Sequence, residues 1–271
     1  MKPSEDAQIE SLLSELMSQY GYDFSAYSAA SLRRRIHSAM HRANCQTIGD
    51  LVDRIRNLPD FYKQVVSDLT VNVTEMFRDP EVFLAIRRHV IPILRTYPSI
   101  RIWHAGCATG EEVYSMAILL KEEGLLERSF LYATDLSPRA IELAKAGVYT
   151  SNHIQTYTAN YHRAGGIESF GEYYTADQNG VRINPKLKEN ILFSQHNLAT
   201  DDVFSEVHMV LCRNVLIYFS QELQNRTLSL LKRSLVRRGI LVIGTKESMD
   251  FTDAKDSFEI LHRDERIYRK I

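Results

Sequence analysis

Three carboxylates in one stretch of the chain are spaced to hold a small ligand. Glu111 and Glu112 follow the loop GCATG at 106–110, and Asp135 stands 25 residues after Gly110, at the end of the apolar run LYATD. The run RIWH at 101–104, the glycine loop, and apolar positions Val113, Met116, Ala117, Leu119 and Leu120 read as strand, turn and helix. Gly106 and Gly110 let the backbone approach a ligand closely. A helix start normally attracts anions through its free N–H groups and dipole. Two carboxylates there suit the dipole but repel a pyrophosphate, so the expected ligand presents a cation. S-adenosylmethionine meets that requirement through its ammonium and sulfonium groups. Asp135 occupies the place where doubly wound sheets accept the ribose hydroxyls. Without a ligand, the same residues read as a tight βα turn and a helix N-cap ahead of Ser137 and Pro138.

The elements that must position these groups follow from the rest of the chain. Runs at 189–196, 207–212 and 239–244 read as further strands, 258–262 and 266–269 as a closing hairpin, and 221–236 as a helix capped by Ser220. The expected fold class is α/β: a Rossmann-like class I methyltransferase sheet, parallel in its core and finished by an antiparallel pair. The segment 148–190 is long for a connection. Turn formers at 165–166 and 178–180 between short β-rich runs predict a small antiparallel β insert at about 150–190. Residues 1–70 carry helical patterns only, so an all-α N-terminal domain is expected, then a linker at 71–90 and a sheet domain at 91–271.

In open α/β sheets ligands bind outside the carboxyl ends of the strands, which directs attention to CRNVLIYF at 212–219. An enzyme that methylates base or amide nitrogens would carry Asn or Asp followed by Pro-Pro and an aromatic. Asn214 is followed by Val215 and Leu216, which argues against nitrogen as the acceptor. Cys45, Cys107 and Cys212 lack the spacing of a metal site or a disulfide framework, so no metal is expected.

Five motifs, NVTEMFRD (72–79), AGCATGEEVYSMA (105–117), ATDLS (133–137), HNL (196–198) and CRNVLIYF (212–219), together resemble the signature set of the CheR family of chemoreceptor glutamate methyltransferases. The resemblance covers nearly the whole chain. It implies use of S-adenosyl-L-methionine, with S-adenosyl-L-homocysteine as product, to esterify glutamates on the cytoplasmic helical bundle of bacterial chemoreceptors. Carried over by position, it implies that Asn72, Thr74, Arg78, Gly106, Glu112, Asp135, Asn197, Leu198, Arg213 and Asn214 line the cofactor. It also implies catalytic places for Tyr218, close to the transferred methyl, and for Arg78, which would orient the incoming carboxylate. The chain departs from the family pattern at Met76-Phe77, Val113 and Arg237-Arg238-Gly239, none of which is a polar ligand contact. Read without the family, Arg78 is a salt-bridge partner of Asp79 or Glu75, and Tyr218 a half-buried strand-end aromatic.

The chemistry asks for little acid–base help. A glutamate has an ordinary pKa of about 4.3, so the nucleophile is ionised at neutral pH. Holding it in line with the donor methyl can supply roughly 7 to 11 kcal/mol.

Composition fits a cytoplasmic enzyme: 271 residues, 44% hydrophobic, net charge −1. The polar, acidic opening MKPSEDAQIE is unlike a secretory leader, and no apolar run suggests membrane insertion. Neutral balance gives no general reason to expect nucleic acid. One asymmetry stands out in SLRRRIHSAMHRA at 31–43, a basic helix with Leu32, Ile36, Ala39, Met40 and Ala43 inward and Arg34, Arg35, Ser38, His41 and Arg42 outward. Against a glutamate-rich partner, Arg33, Arg34, Arg35 and Arg42 would form a docking face through electrostatic steering; otherwise they are a solvated surface. Two other functional classes share the fold, a methyltransferase of another substrate and a non-catalytic cofactor-binding module.

Overall fold

The computed structural model describes residues 4–70, 74–178 and 180–271. Four helices come first: α1 Glu5–Tyr20, α2 Ala29–Arg42, α3 Ile48–Asn57 and α4 Phe61–Leu69. Local sequence sets their ends. Ser4 accepts the Ala7 N–H at the start of α1, Gly21 closes it at φ 76°, and Thr47 with Asp50 forms a capping box on α3. Leu12, Leu16, Ile36, Leu51, Ile55 and Val66 pack into a core of their own, which Leu136 of the sheet domain joins.

The chain then runs through α5 Pro80–Ala85, a π turn at Ile86–Val90, and α6 Ile91–Leu94 into β1 Ile100–Ala105, α7 Glu111–Glu122, β2 Ser129–Asp135 and α8 Pro138–Ala146. β3 Val148–Tyr149, α9 Ile154–Arg163, β4 Tyr174–Asp177 and β5 Gly180–Ile183 make the insert. β6 Ile191–Gln195, β7 Val207–Cys212, α10 Gln221–Ser234, β8 Leu235–Ile243, β9 Phe258–His262 and β10 Ile267–Lys270 complete the sheet. Its order is β6-β2-β1-β7-β8-β10-β9. The first five strands are parallel, and β10 is antiparallel to both neighbours. Strand order reverses between β1 and β7, which puts a crevice at their carboxyl ends.

Three details differ from the sequence expectation. The helix expected to reach Val236 stops at Ser234, because Leu235 is already extended and pairs with Val207; Arg238, at φ 62°, then turns the chain within the β8 ladder. The insert is a three-stranded antiparallel sheet, β3-β5-β4, whose first strand lies ahead of the expected boundary. It also contains α9, hidden in the sequence because only Ile154, Tyr157 and Tyr161 mark its apolar face. The Tyr161 and Tyr173 hydroxyls and the Arg87 guanidinium all converge on the Glu122 carboxylate, pinning this insert to α7. Asn179, within the expected turn, lies outside the described residues.

Candidate cofactor and substrate site

One cavity opens over the β1–β7 crevice. Thr74, Arg78, Gly106, Glu112, Asp135, Asn197, Leu198, Arg213, Asn214 and Tyr218 all line it. Residues more than a hundred positions apart are thereby brought together; Asn72 lies outside the described residues. The motif reading did not find Tyr27, Leu69 and Thr70 from the helical domain, nor Ala108, His196 and Phe219, which also face the cavity.

The glycine loop is shaped by close contact. Gly106 has φ 81°, and a Cβ there would stand 2.6 Å from Val215 Cγ2. Gly110, at φ 95°, abuts Ala144 of α8 in the same way. Two non-glycine residues at the cavity, Ala108 and Asn214, also have positive φ, at 47° and 60°. Such conformations persist where the surroundings impose them, and they gather at ligand sites.

Asp135 is buried, and each carboxylate oxygen accepts one backbone N–H, from Ala108 and from Ser137, both at 2.9 Å. Burial raises its pKa, opposed by these hydrogen bonds. A carboxylate offers about four acceptor positions, so each oxygen retains one for a diol. The helix-cap role belongs to Ser137, whose hydroxyl accepts the Ala140 N–H.

The two glutamates of the helix start part ways. Glu111 does not line the cavity; it is buried, with Thr109 Oγ1 donating to it at 2.7 Å. Burial pushes its carboxyl from 4.5 up to about 7. The unfolded chain loses this proton near pH 4.5 while the folded chain keeps it, so this contribution to stability is full below pH 4.5 and lost as pH rises through 7. Urea unfolding should show the native protein losing on the order of 3 kcal/mol more than Glu111→Gln between pH 4.5 and 8; parallel curves would contradict this.

Glu112 faces the cavity. His104 Nδ1 meets its Oε1 at 2.8 Å and an Arg213 guanidinium nitrogen donates to its Oε2 at 3.1 Å. Burial would raise the carboxyl, but these partners outweigh it and hold the pKa below its ordinary value. Arg213 also donates to Asp79 and to the Arg78 carbonyl, at 2.8 and 2.9 Å. One buried guanidinium thus joins linker, glycine-loop helix and β7 end. Asp79, one of the two partners expected for Arg78, pairs with Arg213.

Segment 212–219 is clamped from β8's far end. Glu247, buried, accepts the N–H groups of Gly244, Asn214 and Ile217 at 2.5, 3.1 and 3.2 Å. The sequence signal was available: an acid just past the carboxyl end of a core strand. Cys107 and Cys212 are buried, Cys107 against the cavity, and burial raises both thiols well above their ordinary values, which disfavours the thiolate.

The basic helix divides. Arg33 pairs with Glu5 and Asp6, and Arg42 with Asp68, while Arg34 is exposed. Arg35 departs from the expected outward face: it is half-buried, donates to the Thr70 carbonyl at 2.9 Å, and stacks 4.9 Å from the Tyr218 ring centroid. It thereby joins the helical domain to the cavity.

The donor set suits S-adenosylmethionine: Asp135 has acceptors for a diol and Glu112 carries negative charge for an ammonium. The description "CheR methyltransferase, SAM binding domain" matches residues 72–267, and "CheR methyltransferase, all-alpha domain" matches 7–70. The chain belongs to the CheR methyltransferase family. It is 50% identical over 265 residues to a Pseudomonas putida protein provisionally named methyltransferase Cher3, covering 98% of this chain and 97% of that one. A chemotaxis protein methyltransferase of Listeria monocytogenes is 29% identical, covering 84% and 85%. Chemotaxis protein methyltransferase 1 of Pseudomonas aeruginosa is 30% identical, covering 80% and 81%. This CheR chain is an S-adenosylmethionine-dependent methyltransferase of the chemotaxis class. Among the described residues no helix is long and apolar enough to cross a membrane.

Proposed function

We propose that this CheR protein transfers a methyl group from S-adenosylmethionine to glutamate side chains on the cytoplasmic helical bundle of chemoreceptors, giving glutamyl methyl esters. The observation that carries this reading is that Arg78 and Tyr218 line the same cavity as Asp135 and Glu112. A guanidinium and a phenol therefore stand next to the carboxylates suited to the cofactor. When bound, the cofactor supplies an activated methyl on its sulfonium. The chain's own part is positioning: Asp135 and Glu112 hold the donor, and Arg78 orients a substrate carboxylate that is already ionised. Arg213 and Glu247 keep these walls rigid. We assign Thr74, Asn197, Leu198, Arg213 and Asn214 to the cofactor, and divide the chain into a helical domain to residue 70, a linker at 71–90 and a catalytic domain at 91–271, working in the cytoplasm.

Arg78→Ala is expected to lower turnover by about 100-fold while changing affinity for S-adenosylhomocysteine much less. Equal losses in both would contradict its role toward the substrate. Arg34, with Arg33 and Arg42, forms the proposed docking face, and Arg35 its inner edge at Tyr218. Arg34→Glu should weaken receptor methylation several-fold at low salt, less at high salt, and leave cofactor affinity intact. Unchanged methylation in that variant would leave the helix as a solvated face.

The reading is tested by incubating the protein with methyl-labelled cofactor and receptor-containing membranes. Label released by mild alkali supports a carboxyl ester, whereas alkali-stable label supports another acceptor.

A further inference from the structure

Three side chains of the cavity wall, Tyr27, Leu69 and Thr70, come from the helical domain. A backbone seam carries the first of them to the site. Tyr27 and Phe219 form an antiparallel bridge, the Ser28 N–H donates to the Tyr218 carbonyl at 2.9 Å, and the Ser220 N–H donates to the Ala26 carbonyl at 2.9 Å. The same seam fixes the Tyr27 ring, which meets Phe24 edge-on at 5.0 Å and Phe219 at 5.1 Å. A ring held by pairing and by two aromatic neighbours has little freedom left to lose when it touches a ligand.

Among the described residues the hydroxyl of that ring makes no hydrogen bond, and burial, then the negative charge of Asp135, raise its pKa above the ordinary phenol value. The phenol is therefore protonated at neutral pH. It lines the same cavity as Asp135 and lies close enough to feel that charge.

We propose that Tyr27 supplies a hydrogen-bond donor to the cofactor at the Asp135 end of the cavity, so that the cofactor binds the helical and sheet domains to each other. The proposal rests on the cofactor reading of this cavity. Its consequence is a linkage: a ligand that touches both domains stabilises the seam between them, and loosening the seam weakens the ligand by the same factor. The helical domain then serves the cofactor as well as the receptor.

The test uses the full chain and Tyr27→Phe, which keeps the ring contacts and removes only the hydroxyl. Titration with S-adenosylhomocysteine should show affinity falling about tenfold in Tyr27→Phe, the worth of one hydrogen bond. Amide exchange at Tyr27 and Ser28 in the native protein should slow when the ligand is added, and slow less in the variant. Equal affinity of the two proteins, with Asp135→Ala unable to bind, would overturn the role of Tyr27 alone. Binding by Asp135→Ala would overturn the placement of the cofactor on which that role rests.

Discussion

Asp135→Ala is expected to reduce affinity for S-adenosylhomocysteine by at least about 100-fold in calorimetric titration. A hydrogen bond to a charged group is worth roughly 1.5–3 kcal/mol, and each Asp135 oxygen has one acceptor position left for a diol. Losing two such bonds costs roughly 3–6 kcal/mol, enough to remove measurable binding. The substitution also frees the Ala108 and Ser137 N–H groups, which loosens the loop that shapes the cavity. Asp135→Asn separates the two effects, because its single carbonyl oxygen can still accept from the loop. An intermediate loss is expected for Asn; undiminished binding by the Ala variant would mean that the carboxylate serves the turn only.

Arg213→Ala should be the most destabilising single change at the site. The side chain is 2% exposed and serves Glu112, Asp79 and the Arg78 carbonyl. Removing one partner of a buried ion pair costs about 3–5 kcal/mol, because the remaining charge is stranded. That corresponds to a fall in melting temperature on the order of 10 °C. The loss should depend on pH. Glu112 has a lowered pKa in the folded protein, so its pairing contributes stability above the ordinary carboxylate range and loses it as pH falls through the folded value. The variant's deficit should therefore be larger at pH 8 than at pH 4. A deficit independent of pH would place the effect in packing against Phe83, whose ring centroid lies 5.6 Å from the guanidinium carbon.

What could be read from the sequence, and what could not, follows physical lines. The core strands were legible because parallel strands buried on both faces are nearly continuous apolar runs, as in VHMVLC, where only His208 interrupts. The cavity residues of the sheet domain were legible because they cluster at strand ends in short motifs. α9 was not, since most of its residues are polar and its anchor, Asn160 donating to the Met76 carbonyl, is a tertiary contact. Nor was Tyr27, whose partner lies 192 positions away, at Phe219. The pair Glu111–Glu112 shows the limit most clearly. Adjacent carboxylates one helical step apart face different surroundings, and only the packed structure separates the charged one from the one held near pH 7.

The central claim is that the acceptor is a glutamate carboxylate. Peptide mapping by mass spectrometry, after a purified receptor cytoplasmic fragment is incubated with this protein and S-adenosylmethionine, tests it directly. The account predicts methyl groups on glutamate side chains of the helical bundle, removed by mild alkali and absent with Asp135→Ala. Methyl groups on nitrogen, or an unmodified fragment alongside intact cofactor binding, would contradict it.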